Sequence, residues 1–290
     1  MSASIQGLRG RWRRLQAAEG KWRKRLRQRL QNPAGMTAPA FLVGCGRSGT
    51  SMLLHHLGRS PAVTAYNEND AEAFERYRLR PAPAIEGIIG RSHAQLTLFK
   101  PILNTHQSRE FLAAYPGSKL IFVYRHFEDV VNSSLKRFGA ENRLGHVNTW
   151  VSDNFGEFAA APPPEATKAA VRELWRPSLS LESAAGLYWL FYNRLYFDLG
   201  LDREERVRLV GYERLAANPA AELAAVCAFL GTAYLPLMAE GVFASSIGRD
   251  SAPALAADIR AACEALWRRL EASRPGPEAG AQLNTSETNL

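Results

Sequence analysis

Two stretches of this chain place residues where they can grip anions. The first is Gly44-Cys45-Gly46-Arg47-Ser48-Gly49-Thr50-Ser51, between the apolar run Phe41-Leu42-Val43 and a helical-looking segment, Ser51–Gly58. In a strand–loop–helix setting, successive backbone N–H groups and the positive end of the helix cradle a phosphate or sulfate. The spacing Gly44-x4-Gly49 is that of a nucleotide-binding loop, yet Thr50 stands where a nucleoside triphosphatase carries lysine. A cation sits inside the loop instead, at Arg47. The second stretch runs from Arg125 to Ser133. Arg125 ends the apolar run Lys119–Tyr124, and Ser133 follows eight residues later, about two turns into the next helix. An arginine at a strand's carboxyl end and a hydroxyl on the following helix grip a second anion where α/β proteins bind ligands. A ligand with anionic groups at two separate places uses both. Arg125 also occupies the strand end where a triphosphatase needs an acid for magnesium, so ATP–magnesium chemistry is poorly supported. No metal site is expected.

The elements that must hold these loops follow from pattern. Ala62–Tyr66, Leu96–Phe99 and Val207–Val210 are short strand candidates. Lys119–Tyr124 is β-branched, aromatic and apolar enough for the centre of a parallel sheet. Helices are expected over about Glu128–Phe138, Ser183–Leu199 and Ala220–Leu230. Strands alternating with helices predict an α/β fold: a P-loop-type parallel sheet flanked by helices.

The chain has 290 residues, 46% hydrophobic and 22% charged, ample for one large α/β domain. No apolar run reaches the roughly 18 residues of a membrane span, and the Arg-rich start lacks a secretory h-region. Cys45, Cys227 and Cys263 form no CxxC pair, which points to reduced thiols rather than zinc or a disulfide framework. The net charge of +8 is concentrated: residues 1–36 hold ten Lys/Arg and one acid, so the remainder is near neutral. In this arm Ile5, Leu8, Trp12, Leu15, Trp22, Leu26 and Leu30 share a helical face against Arg and Lys. Such a helix suits an anionic membrane surface; packing on the body or on a second subunit, and behind these a nucleic-acid or transit-peptide role, are the other readings. The chain thus divides into a basic amphipathic arm (1–36), a catalytic domain (37–272) and a Pro/Gly/Ser-rich disordered tail (273–290). Nucleic acid is not an expected partner.

Four landmarks in order carry a family resemblance. Phe41–Leu57 resembles the 5′-phosphosulfate loop of the sulfotransferase superfamily, in its Arg-Ser-Gly-Thr form. Lys119–Gly139 is similar to its 3′-phosphate motif. Arg208–Gly231, with Tyr212-Glu213-Arg214-Leu215, Asn218-Pro219 and Phe229-Leu230-Gly231, is similar to its third landmark. Ser245-Ser246-Ile247-Gly248-Arg249 resembles the late loop over the donor's 3′-phosphate. The resemblance implies the sulfotransferase fold and a metal-free transfer of a sulfuryl group from 3′-phosphoadenosine-5′-phosphosulfate (PAPS) to an acceptor hydroxyl.

On that resemblance, Arg47, Ser48, Gly49, Thr50 and Ser51 hold the 5′-phosphosulfate. Arg125, Ser133, Ser246, Gly248 and Arg249 serve the 3′-phosphate, and Tyr212 lies near the adenine. Arg47 and Lys100, which precedes Pro101, neutralise the leaving phosphate. Glu68, in Tyr66-Asn67-Glu68, matches the catalytic Glu of tyrosylprotein sulfotransferases and is the favoured general base. His106, in Asn104-Thr105-His106, is the rival, by likeness to the His of small-molecule sulfotransferases. The acceptor side, about Ala140–Tyr196, carries Trp150, Trp175, Tyr188, Trp189, Tyr192 and Tyr196, aromatics more often core than ligand-stacking at helical spacing. With the basic arm, a glycan or glycolipid acceptor and a cytoplasmic enzyme at the inner membrane face are expected. The alternatives are a P-loop kinase or nucleotide hydrolase, and a non-catalytic membrane-surface adaptor on the same fold.

Overall fold

The computed structural model describes residues 20, 22–152, 162–242, 247–248 and 250–275. A helix over residues 22–31 (α1) precedes β1 (Ala38–Gly44), α2 (Thr50–Gly58), β2 (Val63–Tyr66), β3 (Phe74–Glu75), β4 (Arg78–Leu79), α3 (Ala82–Arg91) and β5 (Leu96–Phe99). Then come α4 (Ser108–Ala114), β6 (Lys119–Tyr124), α5 (Phe127–Phe138), α6 (Ala140–Val151), α7 (Glu165–Leu174), α8 (Leu181–Asp198), β7 (Val207–Gly211), α9 (Tyr212–Ala217), α10 (Pro219–Leu230) and α11 (Ala257–Ala272).

Five strands pair in the order β2-β5-β1-β6-β7, all parallel. Parallel strands are covered on both faces, so successive side chains feed two cores. Phe41, Val43, Leu120 and Phe122 join one, under α8 and α11. Leu42, Ile121 and Val123 join the other, with Leu53 of α2 and Val226 of α10. The expected sheet and its flanking helices are therefore present.

Helix α8 is apolar almost all round and runs through the middle of its layer. Its N-terminus is set by Ser180, whose Oγ accepts from Ser183 N at 3.1 Å. Trp189 donates Nε1–H to Arg125 O at 2.8 Å, so the helix fixes the carboxyl end of β6. The sequence pattern does not predict helices α3, α4, α6, α7, α9 and α11 or the β3–β4 pair. α11 docks through Ile259, Cys263, Leu266 and Leu270, one face at helical spacing. It ends at Ala272; residues 276–290 of the expected tail lie outside the described residues.

Within the basic arm, α1 docks by its polar side. Lys24 Nζ donates to Gly58 O at 2.6 Å, a cation at the C-terminus of α2. Buried Gln28 donates to Pro61 O at 2.8 Å. Trp22, Leu26 and Leu30 are left exposed. The apolar stripe predicted from spacing exists here: Leu30 is exposed, while Trp22 and Leu26 border a cleft with Tyr66, Ile88 and His93 of the body. Its continuation through Ile5, Leu8, Trp12 and Leu15 lies outside the described residues.

Candidate active site

Each of the five parallel strands delivers a predicted site residue from its carboxyl end: Arg47 after β1, Glu68 after β2, Lys100 after β5, Arg125 after β6 and Tyr212 after β7. This is the edge where open parallel sheets bind ligands.

The loop after β1 is built by close approach. Gly44 has φ +132°, and a Cβ there would lie 2.1 Å from Val123 O. Gly49 has φ +87°, and its Cβ would lie 2.2 Å from Tyr212 Cδ2, so only glycine lets the Tyr212 ring close on the loop. Arg47 itself has φ +71°, a conformation unfavourable for a long side chain and retained where structure demands it. Thr105, on the 3-10 turn after β5, braces the loop from below: its Oγ1 accepts from Gly44 N at 3.1 Å. Ser48 Oγ is wholly buried without a hydrogen-bond partner among the described residues.

The two anion stretches meet: Arg47 donates Nε–H to Ser133 Oγ at 2.9 Å. Burial, then the positive charges of Arg137, Arg125 and Arg143, pull the Arg47 guanidinium below its ordinary value. Such a cluster of cations is self-repulsive until anions arrive. Arg125 is buried, pairs with Asp129 at 3.1 Å and lies over the Tyr212 ring at 4.4 Å. Asp129 also accepts from Gly248 N at 3.1 Å, so Gly248 lies at the Arg125 site. Ser246 and Arg249 lie outside the described residues.

Beside the loop is a cleft of about 860 Å³, bordered by Arg47, Thr50, Ser51, Glu68, Lys100 and Tyr188. Buried Lys100 pairs with Glu68 and donates to Ser51 Oγ at 3.1 Å. A carboxylate and an ammonium thus stand together at the strand ends. His106 is buried on the 3-10 turn and is not among the residues bordering this cleft. Of the aromatics expected on the acceptor side, Tyr188 reaches the cleft, while Trp150, Trp189, Tyr192 and Tyr196 belong to the core and Trp175 packs against it. Cys45, Cys227 and Cys263 are free and buried. Among the described residues no group of three or more His, Cys, Asp or Glu gathers as metal ligands, and no helix is long and apolar enough to cross a membrane.

The cleft also contains residues that sequence motifs did not reveal: Arg137, Asn142, Arg143 and His146. Arg143 lies flat over the Tyr188 ring at 3.8 Å. Burial, then the charges of Arg143 and Arg78, push His146 down to about 4. The unfolded chain therefore binds a proton first. The stability tied to this residue is complete above pH 6.5 and drains away as pH falls toward 4. For His146→Gln, the stability gap to wild type should shrink by about 2 kcal/mol between pH 7 and 4.5, read from urea midpoints. Parallel pH dependence of the two proteins would contradict the assignment.

Fold and site define a P-loop-like α/β protein with a cluster of cations at the sheet edge. The sulfotransferase domain family matches residues 38–243, and the chain belongs to that family; it is a sulfuryl-transferring enzyme. The kinase and adaptor readings fall with that assignment. Comparison with curated proteins returns no match. Among solved structures, the chain is similar to the sulfotransferase domain of the Synechococcus PCC 7002 olefin synthase (16% identity, 80% of this chain and 95% of that one, TM-score 0.46). It is also similar to a sulfotransferase from Alicyclobacillus acidocaldarius (18%, 81% and 93%, TM-score 0.44) and to a mouse sulfotransferase complexed with PAP (17%, 74% and 68%, TM-score 0.40).

Proposed function

We propose that residues 37–272 transfer a sulfuryl group from PAPS to a hydroxyl of a glycan or glycolipid. The observation that carries this reading is the meeting of Arg47 with Ser133 beside the Lys100–Glu68 pair. Two anion sites and a proton acceptor then share one sheet edge. PAPS supplies a sulfuryl group already activated on a phosphate. The Ser48–Ser51 loop and Arg47 would hold its 5′ end. Arg125, Ser133 and the loop of Ser246, Gly248 and Arg249 would hold its 3′-phosphate, and Tyr212 its base.

Glu68 takes the proton from the acceptor oxygen as that oxygen bonds to sulfur. Arg47 and Lys100 stabilise the charge gathering on the departing phosphate oxygen as the old S–O bond breaks. These roles ask for positioning and cations, which the chain's own side chains supply. A carbohydrate is favoured as acceptor because the cleft is roomy and sets Asn67, Asn69 and Asn142 beside the aromatic Tyr77 and Tyr188 on walls that are half polar. Transfer of labelled sulfuryl from PAPS into glycans or glycolipids, compared with simple phenols, tests this. Label entering phenols alone would refute the carbohydrate reading.

The free cysteines and the exposed Trp22, Leu26 and Leu30 amid arginines support a cytoplasmic enzyme resting on an anionic membrane face. Trp22→Glu/Leu26→Glu/Leu30→Glu should lose flotation with anionic vesicles. Equal recovery with the unchanged chain would end that reading.

A further inference from the structure

The donor reading gives Arg143 no contact with the donor beyond its charge in the cluster around Arg47. This arginine of α6 is 4% exposed, yet it borders the cleft. Its guanidinium lies against two aromatic rings, Tyr188 at 3.8 Å and Phe138 at 4.6 Å. Its polar contacts are thin: Nη2 donates to Ser134 Oγ at 3.4 Å and Nη1 to Asn142 Oδ1 at 3.3 Å. Its Nε–H has no partner among the described residues, and none of their carboxylates is paired with it. A buried cation without a counter-ion is costly unless an anion arrives.

Its place in the cleft says which anion. Glu68 and Lys100 border the same cleft, whereas Arg125, Ser133 and Tyr212 do not. Arg143 therefore shares space with the proton acceptor and with Arg47, Thr50 and Ser51 of the 5′ loop, but not with the 3′-phosphate residues. Its Nη2 lies 3.5 Å from where a Cβ on Gly46 would be, so the loop's glycine keeps the approach to it open. Among the described residues, Glu68 is the only carboxylate on the cleft wall, and Lys100 already neutralises it. The rest of this wall is cationic or neutral, with His146 uncharged at pH 7 because burial and Arg143 hold it near 4.

Resting on the proposed function, we propose that Arg143 is a specificity residue that binds an oxyanion carried by the acceptor, so that the enzyme sulfates hydroxyl compounds already bearing a carboxylate or phosphate. For a glycan, this selects uronates or sugar phosphates over neutral sugars. The planar fork of Arg143, pre-oriented by Tyr188 and Phe138, suits such a group.

The test uses the full chain saturated with 3′-phosphoadenosine-5′-phosphate (PAP), so that the residues facing the donor's two phosphates are occupied. Matched probes are then titrated calorimetrically: methyl glucoside against methyl glucuronoside and glucose 6-phosphate, and 4-hydroxybenzyl alcohol against 4-hydroxybenzoate. The anionic member of at least one pair should bind about tenfold to a hundredfold tighter, the scale of a charge-assisted hydrogen bond. Arg143→Met should erase the preference and Arg143→Lys should restore part of it. Equal affinity within every pair, no binding of any anionic probe, or a preference that survives in Arg143→Met would each overturn the proposal. Unchanged PAP binding by Arg143→Met shows that the variant is folded and the donor site intact. Failure of the wild type to bind PAP would instead refute the donor reading on which the proposal rests.

Discussion

Glu68→Gln is expected to lower kcat by about 10³-fold, within the range of a lost general base. Glutamine fills the same volume and still borders the cleft, but it cannot take a proton from the acceptor. The donor site should be spared, because Arg47 bonds to Ser133 and Arg125 pairs with Asp129. PAP affinity should therefore stay within about twofold. A second consequence is specific to the observed pairing. Lys100 is 5% exposed and loses its counter-ion in this variant, and removing one partner of a buried pair costs up to about 3–5 kcal/mol. Ser51 Oγ remains to Lys100, so the loss should fall below that range. The rival base makes the opposite forecast: His106→Gln should abolish turnover and Glu68→Gln should not. Since His106 is buried away from the cleft, its replacement is expected to lower stability and leave kcat near wild type.

Arg47→Met should reduce kcat/KM by about 10²–10³-fold, the effect of deleting one preorganised donor to a developing oxyanion. The same change removes the link to Ser133 and one charge from the cluster with Arg137, Arg125 and Arg143. The empty protein should thus hold its stability or gain slightly, while function is lost. That pairing of outcomes is the mark of a strained, like-charged site kept for chemistry. A variant that both unfolds easily and retains catalysis would show Arg47 to be structural.

The sheet was legible because its strands are short, apolar on both faces and end in loops of distinctive type. Phe41–Val43 and Lys119–Tyr124 could be read as neighbours in function before they were seen paired in register. Arg47 and Arg125 stand out by their places at strand ends, whereas Glu68, Lys100 and Tyr212 are expected only from the family resemblance; all five follow a strand.

Arg143 was not legible. It sits in Glu141-Asn142-Arg143-Leu144, a stretch that reads as solvated helix surface. Only the tertiary packing of α6 against α8 lays its guanidinium on Tyr188. The arm shows a related limit. Periodicity located the stripe of Trp22, Leu26 and Leu30, but the docking face is chosen by Lys24 and Gln28, whose partners Gly58 O and Pro61 O lie more than thirty residues away in sequence. The helix α11 was overlooked for lack of any motif, although Ile259, Cys263, Leu266 and Leu270 carry the spacing of a buried face.

The most direct test of the central claim is a thermal-shift titration with PAP, with and without magnesium, on wild type and Arg125→Ala. At about 100 times its dissociation constant, PAP should stabilise the wild type by about 2.7 kcal/mol, equally in the presence and absence of magnesium. Arg125→Ala should lose most of that shift at the same concentration. No stabilisation of the wild type, or stabilisation seen only with ATP and magnesium, would contradict the account of this cleft as a sulfuryl-donor site.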